Sequence, residues 1–324
     1  MFRNAMYFIK RYGLLEYMKR VFEVGAYNKL DAYLFVQHRY YEGLSESDYI
    51  KELEQWYAVY SNRDKERIHN PTSFNDKIQW LKIHNNTELR AICADKVRVR
   101  DYIRDLNVPE LHLIPLLGVW DNAEEIDFSA LPDAFVLKQN AACKLNYIVT
   151  DKSKLNEREV RALMTKWLEI TYGYNGMELQ YIKSPKRILA EQYLHELDGD
   201  LLDYKVFCFN GMPKFIEVIG ERGEDLMQGH SAFFDLEWTL LNFRTATYPM
   251  FAECPLRPDN LDKIIEIARR LSTPFPFVRV DLYDISGEIF FGEMTFTPTN
   301  GLARWEPAGT DKFLGSFITI DKKN

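Results

Sequence analysis

Apolar residues recur along this chain at two spacings, and each predicts a different element. Ala5, Phe8, Ile9, Tyr12, Leu15 and Phe22 fall at helical intervals, so residues 1–24 read as an amphipathic helix. Residues 48–59 read as a second helix, and the polar stretch 61–71 marks a soft boundary after it. Thr72 and Ser73 then precede Phe74, Ile78, Trp80 and Leu81, with Asp76 in the first turn. That is the arrangement of a capped helix start. Residues 95–106, 157–172 and 261–271 complete the helical segments.

The strand signals begin at 113–119 and continue at 135–138, 146–149 and 187–194. Two hairpins follow. Residues 203–209 and 213–218 flank Asn210–Gly211, a dipeptide that suits a tight left-handed turn. Residues 277–283 and 288–296 flank a turn over 284–287. Helices and antiparallel hairpins are mixed, which predicts an α+β fold rather than strict βαβ alternation. There is no internal repeat and no low-complexity tract.

Composition narrows the class. The 324 residues are 46% hydrophobic, 27% charged and 14% aromatic, enough for a sizeable core and incompatible with wholesale disorder. At about 150 residues per domain the length suits roughly two domains. A net charge of −7 argues against nucleic acid as the partner. No stretch is long and apolar enough to span a bilayer. Cys93, Cys143, Cys208 and Cys254 are scattered, with no CxxC, so neither a disulfide framework nor a zinc site is expected. A cytoplasmic location fits that usage. Residues 1–24 carry Arg3, Lys10, Arg11, Lys19 and Arg20, but their apolar residues are periodic rather than contiguous, unlike a secretory signal. The segment reads either as a helix packed on the body or as a basic helix lying peripherally on an anionic membrane or a partner.

Residues 277–298, FVRVDLYDISGEIFFGEMTFTP, hold the most chemistry. Arg279, Asp281 and Tyr283 share one strand face, and Phe291, Glu293 and Thr295 share one parity on the return strand. If the turn sets Tyr283 opposite Ile289, then Asp281 faces Phe291 and Arg279 faces Glu293. Asp281 and Glu293 are then diagonal neighbours, roughly 7–8 Å apart. Two adjacent carboxylates repel unless a positive group joins them. Arg279 supplies part of that charge, and a hard cation such as Mg²⁺ would supply the rest. A surface hairpin with a cross-strand ion pair is the plainer alternative.

Several other residues suit a nucleotide. Lys138 ends the apolar strand FVLK, where an ammonium can meet phosphate as a point charge. Lys96 opens DKVRVRDYI, and Lys205 alternates with Phe207 and Phe209. Glu191, in ILAEQYL, could offer a carboxylate and backbone groups to an adenine and its ribose. Each, taken alone, also reads as an ordinary solvated side chain.

Their order along the chain says more. SFNDKIQWLK (73–82), DKVRVRDYI (95–103), LIPLLGVWD (113–121), FVLKQN (135–140), ILAEQYL (188–194), DYKVFCFNGMPKFIEV (203–218), FVRVDLYDISGEIFFGEMTFTPTNG (277–301) and LGS (314–316) follow one another. This run closely resembles the TupA-like family of ATP-grasp proteins, associated with teichuronopeptide biosynthesis, over roughly residues 70–316. The resemblance implies an ATP-grasp fold, two α+β subdomains clasping ATP, behind an N-terminal helical region. It divides the chain into 1–70, a pre-grasp region 71–130, a first subdomain 131–196 and a second subdomain 197–324 that bears the metal site. It implies an enzyme that uses Mg-ATP to phosphorylate a carboxylate and then lets an amine attack the acyl phosphate. Position by position, Lys138 and Lys96 correspond to phosphate-contacting lysines. Glu191, Gln192, Tyr193 and Leu194 correspond to the adenine hinge, Asp281 and Glu293 to metal ligands, and Arg279 to the arginine that stabilises the transferred phosphate; Lys205, by its own place on its strand and apart from the resemblance, could also reach a phosphate. Where many ATP-grasp enzymes carry Asn two residues after the second acid, this chain, like its family, has Thr295.

One loop departs from the pattern. The family carries His-Gly-Ser-Gly after FVLKQN; here stand Ala141, Ala142, Cys143 and Lys144. Glycines let backbone amides approach phosphate. Their loss stiffens the loop, while Lys144 adds a charge that could itself meet phosphate and Cys143 takes the hydroxyl's place. The family points to a uronic acid of a capsular or cell-wall polysaccharide as the carboxylate. Arg222, His230, Arg244 and Arg304 are candidate contacts for such an anionic sugar. Two other functions stay open: a sugar kinase or phosphotransferase, and a catalytically weak nucleotide-binding partner of a glycosyltransferase.

Overall fold

The computed structural model describes Ile9 and residues 29–194, 201–221 and 229–320. The helix expected over 1–24 falls outside these residues, Ile9 aside, as does Arg222.

Helix α1 (Lys29–Val36) leads to α2 (Glu46–Ser61), whose start is closed by a reciprocal Ser45–Asp48 capping box. Helix α3 (Phe74–His84) starts as expected: the Ser73 hydroxyl accepts from the Asp76 amide, and the Asp76 carboxylate accepts from the Ser73 amide at 3.1 Å. Helix α4 (Glu88–Ala94), capped by Thr87, was not anticipated. The helix expected over 95–106 begins only at α5 (Val99–Leu106), because Asp95 Oδ1 accepts from the amides of Val97 (2.8 Å) and Arg98 (3.2 Å) and turns the chain there. The strand expected over 113–119 is two strands, β1 (Leu111–Leu113) and β2 (Leu116–Trp120), parted around Pro115, which has no N–H for a ladder.

Strands β3 (Phe135–Gln139), β4 (Asn146–Val149) and β5 (Ile188–Gln192) match the sequence pattern closely. Helix α6 (Glu157–Glu169) stops short of Tyr172, which opens a 3₁₀ turn. Next come β6 (Asp203–Phe209), β7 (Met212–Gly220), β8 (His230–Phe234), β9 (Arg244–Thr245), α7 (Leu261–Ser272), β10 (Phe277–Ile285), β11 (Glu288–Thr295), β12 (Trp305–Glu306) and α8 (Thr310–Gly315). The β6–β7 turn is Asn210–Gly211, both in the left-handed region.

One sheet has the order β1-β11-β10-β6-β7-β8 and a second β2-β5-β3-β4, while β9 and β12 form a small pair. Neighbouring β1 and β2 thus enter different sheets. Val206, Val218, Val280 and Leu282 line one face of the larger sheet and pack with Ile264 and Leu271 of α7. The opposite face is divided. At one end Phe207, Phe209, Phe215 and Phe277 pack on Phe74 and Ile78 of α3. At the other end the same strand parity presents Asp203, Lys205, Glu217, Arg279, Asp281 and Glu293. The smaller sheet packs Leu137, Ile188 and Ala190 against Val160, Met164 and Trp167 of α6.

Candidate active site

The hairpin carrying the acid pair differs from its expected register. Its turn is only Ser286–Gly287, at φ 53° and 88°, so Ile285 pairs with Glu288 and Leu282 with Phe291. The ladder then shifts at Gly292, and Asp281 lies directly opposite Glu293, with Arg279 opposite Thr295. Glycine is required at this bulge, because a Cβ on Gly292 would lie 2.9 Å from the Asp281 carbonyl oxygen. The bulge therefore brings the two carboxylates closer than a regular hairpin would.

The same row continues across the sheet: Asp281 opposes Lys205, and Lys205 opposes Glu217. Arg279 grips Asp281 with a two-pronged contact, Nε to Oδ1 and Nη2 to Oδ2, each 2.6 Å. Its Nη2 also donates to Thr295 Oγ1 at 3.0 Å, and that hydroxyl donates to Glu293 Oε1 at 2.8 Å. Thr295 is thus a hydrogen-bond bridge between the arginine and the second acid. Lys205 Nζ sits 2.6 Å from both Asp281 Oδ2 and Asp203 Oδ2. Lys205 thus pairs with two carboxylates, as a buried ammonium requires.

Burial pushes the Asp281 carboxyl up, but the Arg279 and Lys205 charges outweigh it and hold the acid below its ordinary value. Burial pushes Lys205 down, and Asp203 with Asp281 more than restores it. Glu217, at the far end of the row, is raised to about 7 by burial, against the pull of Arg279 and Lys205. Four carboxylates thus face two cations on one patch of sheet. That excess of hard oxygen donors fits a divalent cation, and Glu293, whose side chain is 41% exposed, is the open edge. Among the described residues no three acids, histidines or cysteines are grouped to hold a metal by themselves. A cation here would complete its shell with oxygens from a bound phosphate or water.

The smaller sheet supplies a second cluster. Lys138 pairs in register with Leu189, so Glu191 projects from the same face two residues on. Glu191 Oε2 accepts from Lys138 Nζ and Oε1 from Arg100 Nη2, both at 2.6 Å. The carboxylate holds two cations, and at 7% exposure it needs both. Burial raises its pKa, yet Lys138 and Arg100 bring it below the ordinary carboxylate value. Gln192 is exposed and Tyr193 buried beside an open cavity of about 650 Å³ that Leu117, Asp133 and Thr150 also line. Glu191 points to the sheet's other face, and the cavity is lined by neither the Asp281–Glu293 row nor the Lys138–Glu191–Arg100 cluster. Leu194 is buried against Ile114 and Ile285.

Between the two clusters lies the altered loop. Lys96 Nζ donates to the Ala142 carbonyl, and its amide donates to the Asn140 carbonyl at 3.1 Å. Cys143 Sγ lies 3.4 Å from the Tyr181 hydroxyl. Burial raises the thiol to about 11, helped by the nearby charges of Glu293 and Glu178 and opposed by Lys96. Cys143 is therefore a neutral thiol, and the loop reaches the neighbourhood of Glu293. Lys144 is exposed at φ 63°, the backbone conformation a glycine would adopt freely.

The expected sugar contacts are less well placed. Arg244 pairs with Glu306 at 2.8 Å and His230 with Glu221 at 2.8 Å, while Arg304 is exposed. Sequence reasoning missed Arg100, Asp203 and Glu217. Asp203 shares a strand face with Lys205 and could have been found by parity. Glu217 could not, because a bulge at Phe207–Cys208 sets its pairing.

The family model described as TupA-like ATPgrasp matches residues 76–319, most of the chain. Among solved structures, D-alanine–D-alanine ligase from Bacillus anthracis is similar at 15% identity over 70% of this chain and 64% of that one, with TM-score 0.41. Phosphoribosylamine–glycine ligase from Thermotoga maritima is similar at 15% identity over 64% of this chain and 48% of that one, with TM-score 0.40. The chain spans less than two thirds of the length of either ligase. No curated protein matches it in sequence.

Proposed function

This chain belongs to the TupA-like ATP-grasp family, and we propose that it is an ATP-dependent carboxylate–amine ligase that joins an amine to the carboxylate of a uronic acid in a capsular or cell-wall polysaccharide. The observation that carries this reading is the directly opposed Asp281–Glu293 pair gripped by Arg279. In the proposed reaction a carboxylate oxygen attacks the γ-phosphorus of ATP and ADP leaves. The amine nitrogen then attacks the acyl carbon, phosphate departs with that oxygen, and the nitrogen loses its proton. Such chemistry asks the protein for positioning and charge neutralisation.

Asp281 and Glu293 are the residues that would hold Mg²⁺, which when bound would neutralise phosphate charge and polarise the transferred group. Arg279, fixed by Asp281 and Thr295, presents a permanent guanidinium at the same patch. Lys138, steered by Glu191, offers charge from the other sheet, and Lys96, in the turn before α5 and hydrogen-bonded to the Ala142 carbonyl, offers it from beside the 140–145 loop. In the same proposal 131–196 and 197–324 are the two clasping lobes, and Gln192, Tyr193 and Leu194 contribute the adenine side.

Hydroxylamine traps acyl phosphates, so glucuronate, Mg-ATP and hydroxylamine should yield a hydroxamate with equal ADP and phosphate. A phosphosugar without hydroxamate would mean a kinase. Tight ATP binding with no consumption on any carboxylate would mean a nucleotide-binding partner. Either result would displace the ligase reading.

Two substitutions bear on the nucleotide end. Lys138→Ala should weaken affinity for a non-hydrolysable ATP analogue about tenfold or more, measured by calorimetry, since a desolvated phosphate contact is lost. Unchanged affinity would remove Lys138 from the phosphate site. Lys144→Gly should weaken it about fivefold, the worth of one exposed charge contact of ~1 kcal/mol. Equal or tighter binding would show that Lys144 meets solvent only.

A further inference from the structure

Residues 297–303 follow the acid strand directly, and their backbone is unusual. Thr299, Asn300 and Gly301 stand in succession at φ 50°, 57° and 68°. A β-branched threonine in that region is strained, and such a run persists only where its surroundings over-determine it. The surroundings here are buried and polar. Helix α3 presents Asn75, Gln79 and Lys82 at helical spacing along one face, and all three are buried. Asn75 Nδ2 donates to the Ala303 carbonyl at 2.8 Å. Gln79 Nε2 donates to the carbonyls of Asn300 at 3.0 Å and Gly301 at 3.1 Å. Lys82 Nζ donates to the carbonyls of Gly176 at 2.8 Å and Asn300 at 3.2 Å, and to Asn300 Oδ1.

A second set of contacts grips the same segment from residues 175–180. Glu178 and Gln180 bind the Thr297 hydroxyl, and Asn300 Nδ2 donates to the Asn175 carbonyl at 3.0 Å. Lys82 is fully buried, with the Trp56 ring 4.7 Å from its nitrogen. A stabilising apolar residue would serve packing alone at lower desolvation cost, so a buried lysine whose hydrogen bonds all go to two segments near the acids is there to set geometry. The segment offers no group to the Lys138–Glu191 cluster. It leaves Thr299 exposed and Asn300 and Leu302 half-buried.

We infer that Asn75, Gln79, Lys82 and Glu178 are positioning residues, which hold residues 297–303 as the wall that presents the acceptor carboxylate to the Asp281–Glu293 face. The inference rests on the ligase reading above. It assigns a role to the helix that precedes the clasping body, which otherwise reads as packing.

The test uses the full chain, with Asn300→Gly as the principal variant, because that residue is half-buried and its backbone suits glycine. Lys82→Met removes the helix side of the clamp, and Asn300→Asp keeps the oxygen that Lys82 needs. In Asn300→Gly the amides of 297–303 should exchange hydrogen about tenfold faster than wild type, with the rest of the chain unchanged. The KM for glucuronate in the hydroxamate assay should rise about tenfold, with kcat and ATP-analogue affinity within about twofold. Asn300→Asp keeps the oxygen for Lys82 but loses the donation to the Asn175 carbonyl, so its exchange rate and KM should fall between those of wild type and Asn300→Gly. Unmoved exchange, an unmoved KM, or an equal loss of nucleotide affinity would overturn the inference while leaving the ligase reading intact. A wild-type protein that makes no hydroxamate from any carboxylate would overturn both, and would be seen before any variant is made. Should Lys82→Met fail to fold, Asn300→Gly decides the matter.

Discussion

Asp281→Asn is expected to lower ligase turnover by on the order of a thousandfold while the protein stays folded. The carboxylate is 1% exposed and engages Arg279 through both oxygens and Lys205 through one. An amide of the same shape keeps one acceptor oxygen, while its nitrogen faces a guanidinium or ammonium donor and lowers stability, but Asp203, Glu217 and Glu293 remain to balance the two buried cations. Folding should therefore survive. The negative charge that opposes Glu293 does not, and with it goes half of the proposed cation's anionic support. Glu293→Gln should cost as much in turnover, since that side chain is the open edge of the pair. ADP release with saturating Mg-ATP and glucuronate–hydroxylamine measures both. Wild-type rates in both variants would remove the acids from the chemistry.

Asp76→Ala is expected to destabilise the fold by about 3 kcal/mol, the low end for breaking a buried ion pair. Asp76 is fully buried, and its Oδ1 accepts from Tyr57 Oη at 2.6 Å and Arg63 Nη1 at 3.2 Å. Its Oδ2 accepts from Arg67 Nη2 at 2.7 Å and from the Ser73 amide at 3.1 Å. Arg63 also reaches Asp311 at 2.6 Å, so one network ties α2, α3 and α8 together. The low end applies because Arg67 is 42% exposed and can return to water.

Burial raises the Asp76 carboxyl, but Arg67, Tyr57 and Ser73 overcome it and leave the pKa well below the ordinary range. A depressed carboxylate pKa means stability that is fully present above the unfolded value, about 3.9, and lost as pH falls below it. Wild type should thus lose stability steeply below about pH 4, and Asp76→Ala should lose less over the same range. Urea unfolding between pH 7 and pH 3 tests both statements. A loss under about 1 kcal/mol at pH 7 would show the network to be ornamental to stability.

Most of the element order was legible in periodicity, because long apolar alternations such as β6 and β10 have no other use. The Ser73–Asp76 cap was readable for the same reason: that chemistry has one local solution. What escaped were features set by single backbone irregularities. The bulge at Gly292 moved Asp281 from a diagonal to a direct pairing with Glu293, and the bulge in β7 at Lys214, opposite Phe207–Cys208, placed Glu217 opposite Lys205. Pro115 split one expected strand between two sheets. Residue types in the site were also legible, but not their commitments. Lys205 and Glu191 carry the right charges for a nucleotide site, yet each is held by oppositely charged neighbours from distant segments. Lys82 gave no signal, since a lysine in an amphipathic helix reads as solvated until its burial is known.

The central claim is that a carboxylate on the acceptor takes the γ-phosphoryl group of ATP before the amine attacks. Turnover of glucuronate labelled with ¹⁸O in its carboxylate, with hydroxylamine and Mg-ATP, tests it directly. An acyl phosphate passes one labelled oxygen to phosphate, so mass spectrometry should find inorganic phosphate carrying a single ¹⁸O. Unlabelled phosphate, or phosphate retained on a sugar hydroxyl, would contradict the account.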